Sequence, residues 1–273
     1  MIRRLAILAL TASICGTVVA QEQTDADKAF FKSNRILQVA LTESQYGADG
    51  KVLLTFKFTR QYDQHGNLLI EMAYGSDGLP EAELSSVYKY DSHNNPIEAT
   101  RGSGKQTVSY VYNQAGKVVE SRVMDDKGAL KARHVLSWNA NGTCDEVQSY
   151  SADGTAGARR TYKYDRLGNL IESAEYDANR SLVSRQVHTY SATKPYVDET
   201  KTFGPDGLLA GRITYERNSL DALVQQKEYT GAGKLTRRDV YKVDNRGLAV
   251  EHSEYEGDGK LMSVTAITYQ FFP

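Results

Sequence analysis

The chain has five histidines, and histidine is the side chain most often used for metal binding and for proton transfer near neutral pH. They are His65, His93, His134, His188 and His252. None of them forms a His-x-x-x-His pair or has a carboxylate at the spacing of a zinc site. The histidines therefore predict neither a metal site nor a catalytic base.

Other catalytic patterns are also missing from the sequence. Cys144 has no histidine or cysteine signature around it, and no Gly-x-Ser-x-Gly turn occurs. Residues 102–105 read Gly-Ser-Gly-Lys, which lacks the glycine spacing of a phosphate-binding loop. The acidic pair at 125 and 126 lacks the alternating ligands of a calcium loop. We predict that the chain is not an enzyme and binds no cofactor.

Regularly spaced aromatic rings are the best candidates for ligand contact. They are Tyr112, Trp138, Tyr164, Tyr190 and Tyr215. A row of exposed rings can stack on sugar faces, and the hydroxyl groups can add hydrogen bonds. The same rings can instead pack on one another and on neighbouring strands. Both interpretations remain open from the sequence.

These rings belong to a repeat in which an aromatic residue precedes Asp, Asn or a substitute. The copies begin at Tyr62, Tyr90, Tyr112, Trp138, Tyr164, Tyr190 and Tyr215, with a decayed copy at Val243. A second aromatic series lies between them, at Tyr150, Tyr176, Phe203, Tyr229 and Tyr255. Both series recur about every 26 residues, which is typical of a repeat architecture. Each unit therefore holds two strands and two turns.

The turn residues explain the Asp or Asn after each aromatic. Asp165 and Gly168, like Asp63 and Gly66, are three positions apart. Asp or Asn bonds the backbone at the first position of such a turn, and Gly accepts positive φ at the fourth. An Asp-Gly pair, as at 153 and 154, marks the alternate turns. Both ends of every strand are therefore predicted to be short hairpin turns.

The predicted fold class is all-β, an antiparallel β-hairpin repeat array with about 26 residues per two-strand unit over residues 46–273. Hydrophobic residues make up 40% of the chain, and the mean hydropathy is −0.51. Because this is low for a thick core, we expect a meander forming a curved or rolled sheet. Residues 21–45 are predicted to cap its first edge, with a strand starting at Ile36.

Residues 1–20 have the features of a secretory signal peptide, with basic Arg3 and Arg4 followed by an apolar run too short for a typical membrane span. We expect cleavage near Ala20 and a periplasmic or secreted protein. A lipid anchor on Cys15 is disfavoured because Ile14, not a small residue, precedes it.

Cleavage would leave 31 of the 33 basic residues against 34 acidic ones, a net charge of −3. Nucleic-acid binding requires a clustered excess of Lys and Arg, so it is not expected.

The segments Tyr62–Leu68, with the sequence YDQHGNL, and Tyr164–Leu170, with YDRLGNL, resemble the YD repeats of the RHS family. Weaker copies extend the resemblance over roughly Tyr46 to Tyr269. It implies a β-rich shell, as large RHS proteins form around toxins, and a carbohydrate-binding or surface-interaction role. This chain has no stretch set apart as an enclosed toxin or effector, so a toxin role is not expected.

Three functional classes follow. The first is an exported, non-catalytic binding or scaffold protein whose partner is a glycan or a cell-envelope protein. The second is a structural component of an RHS-type secretion or toxin system. The third is an outer-membrane β-barrel, which charged residues on both strand faces disfavour.

Overall fold

The structure, a computed structural model, describes residues 25–102, 104–192, 194 and 196–273. The predicted signal peptide, its cleavage near Ala20 and Cys15 lie outside the described residues. In the described part, one helix precedes eighteen strands. Their bounds are α1 Asp25–Ser33, β1 Ile36–Tyr46, β2 Val52–Tyr62, β3 Leu68–Tyr74, β4 Pro80–Tyr90, β5 Pro96–Arg101, β6 Gln106–Tyr112, β7 Val118–Asp125, β8 Leu130–Trp138, β9 Cys144–Ser151, β10 Ala156–Tyr164, β11 Leu170–Tyr176, β12 Leu182–Tyr190, β13 Val197–Phe203, β14 Leu209–Arg217, β15 Leu223–Thr230, β16 Leu235–Val243, β17 Ala249–Glu256 and β18 Leu261–Phe271.

Every strand pairs antiparallel with the strands before and after it, and β18 pairs with β1. The eighteen strands therefore form one closed barrel. At about 4.8 Å between strands, eighteen upright strands give a diameter of about 27 Å between backbones, and tilt widens it.

The prediction of an all-β antiparallel fold is confirmed. The prediction of a curved or rolled meander is wrong, because the sheet is closed. The seam runs from the pair Ile36 and Phe271 to the pair Gln45 and Ser263. This pairing satisfies the backbone groups that would otherwise remain unpaired at the two edges of an open sheet.

The turns form as the Asp-to-Gly spacing predicts. In the turn of residues 165–169, the Gly168 amide donates to the Asp165 carbonyl, and Gly168 has a φ of 84°. The Asp165 carboxylate accepts from the amides of Leu167 and Asn169, each at 2.9 Å. Strand pairing then shifts by one residue, so that Tyr164 faces Leu170. The aromatic residue is thus the last strand residue before the turn.

The repeat copy that the sequence predicts at Tyr215 lies two residues farther along the chain in the structure. The turn after β14 begins at Asn218, so Arg217 and not Tyr215 occupies the position just before it. Asp221 replaces the usual glycine there, with a φ of 61°. Tyr215 therefore lies on the same strand face as Arg217, but one step farther from the turn.

The two faces of the barrel wall differ in burial. We call the inner face the side that carries Tyr62, Tyr162 and Tyr164, and the outer face the side that carries Lys163 and Glu172. Most fully buried strand residues lie on the first side. Side chains converge on the concave side of a closed sheet and diverge on the convex side. The more buried side is therefore the one that faces the lumen.

The helix α1 covers part of one mouth of the barrel. We call this mouth the aromatic rim, because the turns that follow Tyr62, Tyr90, Tyr112, Trp138 and Tyr164 lie there. The Phe31 ring stacks on the Tyr62 ring at 3.9 Å, and Lys28 Nζ donates to the Asn94 carbonyl at 2.9 Å. A nine-residue helix is unstable alone, so these contacts hold α1 in place.

The largest apolar cluster lies where this helix meets the seam. Phe31 packs with a group of buried side chains: Ile36, Val39, Leu41, Tyr62, Leu68, Leu248 and Ile267. Apart from this helix, the principal contacts between described elements are those between neighbouring strands. The strong contacts between described elements therefore run around the wall, and a barrel of eighteen strands is wide enough to enclose a lumen.

We predict that Gly66→Ala destabilises the barrel more than Gly116→Ala. Both glycines have positive φ, 81° and 72°, so each substitution costs about 1 kcal/mol in backbone strain. A Cβ at Gly66 would also lie 2.1 Å from the Lys28 carbonyl oxygen, whereas one at Gly116 meets open space. Urea unfolding followed by tryptophan fluorescence measures both. Equal losses would mean that α1 does not rest on this turn.

Candidate functional site

The predicted ligand-facing aromatics lie on the inner face near the aromatic rim, and three of them are bonded to the preceding hairpin. The Tyr112 hydroxyl donates to the Pro96 carbonyl, the Trp138 Nε1 to the Val118 carbonyl, and the Tyr190 hydroxyl to the Leu170 carbonyl. The polar atom of each ring thus connects two adjacent strands. The polar atoms of these three rings therefore already have hydrogen-bond partners within the protein.

The other two aromatics are placed differently. Tyr164 packs against a cluster that includes Leu136 and Leu170, and burial raises the pKa of its hydroxyl to about 12. Tyr215 lies one inner-face position farther from the aromatic rim, and its hydroxyl is 3.5 Å from Thr200 Oγ1. All five rings are half-buried. The structure places them at two distances from the aromatic rim, and Trp138 and Tyr164 pack against the same apolar cluster.

A polar cluster that the sequence did not reveal lies on the inner face of β16, β17 and β18. His252 Nε2 is 2.7 Å from Asp239 Oδ1, and the two residues are 4% and 1% exposed. Arg237 Nη2 donates to the same Asp239 oxygen at 2.8 Å. Its Nε is also 3.2 Å from a Glu254 carboxylate oxygen.

An aromatic ring and a hydroxyl group lie beside His252, which is paired with Asp239. The Tyr241 ring stacks on His252 with 4.7 Å between centroids. Thr265 lies opposite His252 in the strand register and is fully buried, and Glu43 lies opposite Thr265 on β1. The strand register therefore aligns four inner-face residues in one row across β16, β17, β18 and β1: Tyr241, His252, Thr265 and Glu43.

The electrostatics of the cluster favour an ionised Asp239. Burial by itself raises the pKa of Asp239, but hydrogen bonds from His252 and Arg237 outweigh burial and leave the net pKa below its ordinary value of 3.8. The same carboxylate helps to raise the pKa of Arg237, against the effect of burial. Asp239 therefore acts as the anionic centre that holds its neighbours.

Three buried atoms of this cluster have no hydrogen-bond partner among the described residues. They are Asp239 Oδ2, His252 Nδ1 and Thr265 Oγ1. His134 Nδ1 is bonded to Ser149 at 3.0 Å and His188 Nδ1 to Thr200 at 2.9 Å, although His188 Nε2 also lacks a partner among the described residues. Only the pair at 239 and 252, among these three, joins a histidine to a carboxylate.

The spacing of these residues was a usable signal. Asp239, His252 and Thr265 are 13 residues apart, half of the repeat, and a half-repeat advances the chain by one strand. It differs from the ligand spacings that are typical of helices and short loops. Strand register, rather than local sequence, brings the three side chains together.

No cluster in the described part of the chain, this one included, has the composition of a metal site. A cavity of about 220 Å³ lies at the aromatic rim, lined by Phe31, Lys32, Arg35, Gln64 and Phe272. It contains no carboxylate, so it adds no acid or base to the candidate site.

The described part of the chain contains no helix with the length and apolar character of a membrane span.

No protein-family model matches the chain. No curated protein matches it either. Among solved structures, it is similar to a porin-like protein from Bacteroides uniformis, with a TM-score of 0.49 and 12% identity, over 86% of this chain and 98% of that one. A porin-like protein from Bacteroides vulgatus has a TM-score of 0.44 and 12% identity, with the same coverage.

A third structure is the Tc holotoxin pore of Photorhabdus luminescens, with a TM-score of 0.39 and 11% identity. The match covers 84% of this chain but 14% of that one. At these TM-scores and identities, none of the three similarities carries weight for function.

We predict that Tyr190→Phe lowers the free energy of unfolding by about 1 kcal/mol, because it removes the bond from the hydroxyl to the Leu170 carbonyl. Tyr164→Phe is the matched control, since the Tyr164 hydroxyl has no protein partner among the described residues. Equilibrium unfolding in urea measures both. Equal losses would show that the bond at Tyr190 contributes nothing.

A second prediction concerns the pH dependence of Asp239. Because its folded pKa lies below the unfolded value, its stabilising contribution is present above that value and is lost as pH falls. The stability difference between the wild type and Asp239→Asn should therefore shrink from about pH 6 to about pH 3. Urea midpoints across this range measure it, and a constant difference would contradict the assignment.

Proposed function

We propose that the chain is an exported, non-catalytic binding or scaffold protein whose barrel stands in water and encloses a solvent-filled lumen. The observation that carries the proposal is the presence of charged side chains at mid-strand on both faces of the closed wall. Charged side chains on both faces are solvated when water lies on both sides of the wall.

The outer face is organised by a repeated set of ion pairs and ring contacts. Five arginines each stack on an aromatic ring of the next strand, with 4.2 to 5.6 Å between guanidinium carbon and ring centroid: Arg133 on Tyr150, Arg159 on Tyr176, Arg185 on Phe203, Arg212 on Tyr229 and Arg238 on Tyr255. The first four also pair with a glutamate of the strand before, namely Glu120, Glu146, Glu172 and Glu199.

The inner face is also charged. Arg60 pairs with Glu71 at 2.7 Å, and Arg160 with Glu175 at 3.1 Å. Hydroxyl and imidazole side chains lie between them, such as Ser121 and His134. This polar lining favours a lumen that admits water and small polar solutes.

An outer-membrane barrel is the second candidate. A closed antiparallel barrel with an even number of strands and hairpins at both mouths favours it. A membrane barrel, however, needs an apolar outward band about 25 Å tall, and each Arg or Lys at its middle costs roughly 2 to 4 kcal/mol. The arginine rows of the outer face occupy that band, so we prefer the water-exposed barrel.

Carbohydrate binding by the rim aromatics and association with an RHS-type system remain predictions from the sequence. The hydrogen bonds of Tyr112, Trp138 and Tyr190 to backbone carbonyls favour a structural role for these rings.

The proposal predicts that the full chain, purified without detergent, remains in the supernatant after ultracentrifugation and does not associate with lipid vesicles. We expect this because burying the outer face in lipid would remove the water that solvates its charged side chains. Vesicle flotation and conductance across a planar bilayer measure membrane entry. Flotation with the vesicles together with stepwise conductance would favour the outer-membrane barrel.

A further inference from the structure

The cavity at the aromatic rim combines open space with two positive charges. Three segments form it: the end of α1 with its link to β1, the turn after β2, and the residue after β18. The lining residues are Phe31, Lys32, Arg35, Gln64 and Phe272. Lys32, Arg35 and Gln64 are exposed, so a solute can reach their polar groups from water.

Contacts between the three segments hold the walls of the cavity in place. The Phe272 amide donates to the Arg35 carbonyl at 2.8 Å. The Phe31 ring stacks on the ring of Tyr62, the last residue of β2, at 3.9 Å. The cavity is therefore formed before a ligand arrives, and binding requires little ordering of the backbone.

The two cations of the lining are not neutralised by the protein around them. The charged groups of Lys32 and Arg35 make no ion pair or hydrogen bond with another described residue. None of the described residues that line the cavity is acidic. Asp63, beside the cavity in the turn after β2, uses its carboxylate within that turn, where it accepts from the Asn67 amide and from Asn67 Nδ2. The cavity therefore attracts an anion.

We propose that this cavity binds a small aromatic carboxylate. The planar guanidinium of Arg35 can donate two parallel hydrogen bonds to a carboxylate, and Lys32 adds a second positive charge. Phe31 and Phe272 are the apolar residues of the lining and suit an apolar ring. A cavity of about 150 Å³ is large enough for benzene. At about 220 Å³, this one has room for a ring and its carboxylate.

The proposal rests on the proposed function only in treating the chain as a binding protein. It adds the chemical class of a ligand and the residues that hold it. It does not require passage through the lumen, because the exposed side chains of the cavity are reached from the water at the aromatic rim. Inorganic phosphate could use both cations but would leave the apolar lining in contact with water.

The test titrates the full chain with benzoate, acetate, benzyl alcohol and inorganic phosphate at matched ionic strength. The NMR shifts of the Gln64 side-chain amide report on the cavity. Benzoate should give a saturable shift. Acetate has the charge without the ring, benzyl alcohol has the ring without the charge, and phosphate has charge without an apolar body. Each of the three should therefore bind at least about tenfold more weakly than benzoate.

The variant Arg35→Gly separates binding from stability. Arg35 follows α1 with a φ of 53°, in the left-handed region where glycine is unstrained and a residue with a Cβ is not. The substitution removes the guanidinium and relieves this strain. Benzoate affinity should therefore fall at least about tenfold, while the urea midpoint of unfolding stays the same or rises.

Arg180→Gly is the matched control. Arg180 is also an exposed arginine with positive φ, 66°, but it lies in the turn after β11 at the opposite mouth. Its substitution should relieve a similar strain and leave benzoate binding unchanged. Unchanged affinity in Arg35→Gly, no saturable shift with benzoate, or binding of acetate or phosphate as tight as that of benzoate would each overturn the aromatic carboxylate site.

The vesicle test separates this proposal from the proposed function. A chain that stays in the supernatant, does not associate with vesicles and gives no response to benzoate would overturn the carboxylate site alone. A chain that enters vesicles and conducts would overturn the water-exposed barrel, whatever benzoate does at Gln64.

Discussion

The rest of the structure depends on the antiparallel pairing of β18 with β1. This seam joins the first and last strands of the array, and its register runs along most of both 11-residue strands. Without it the same hairpins would form a sheet with two exposed edges, each a template for association with another chain. With it, the wall has an inside and an outside, and alternate residues of every strand have different surroundings.

Closure also changes where stability comes from. The strong contacts between described strands run around the wall, so the barrel relies on contacts between neighbouring strands. Near the aromatic rim, hydroxyls such as that of Tyr190 bond to the preceding hairpin. On the outer face, an arginine such as Arg185 contacts the Glu172 carboxylate and the Phe203 ring at once. Each contact is small, about 0.2 to 1 kcal/mol, but it recurs around the circumference.

The sequence predicts the local elements well because their signals are local. The Asp165 and Gly168 turn needs a side-chain acceptor and a residue that tolerates positive φ, and both are visible in four residues. The sequence misplaced the copy at Tyr215 because an aromatic followed by Glu imitates the motif. The actual turn begins at Asn218, and Asp221 takes the place of glycine.

Closure and the inner polar cluster have no such local signal. Whether an array of hairpins closes depends on how strand number, tilt and curvature add up, and the seam joins residues more than two hundred positions apart. The cluster depends on register in the same way. Its members, Asp239, His252 and Thr265, become neighbours only because each half-repeat of 13 residues adds one strand in exact step with the last.

The energetics of that cluster argue that stability alone does not set its composition. At the position that His252 occupies in β17, β9 has the apolar Val147 and β13 has Thr200, whose hydroxyl is bonded to His188 Nδ1. Either solution avoids the desolvation cost of an unpaired polar atom. The wall at Asp239 instead buries a carboxylate oxygen, an imidazole nitrogen and a hydroxyl without partners, in a barrel that lacks a thick core. The hydrogen bonds that Asp239 accepts from His252 and Arg237 offset part of that cost, because bonds to a charged group are stronger than those between neutral groups.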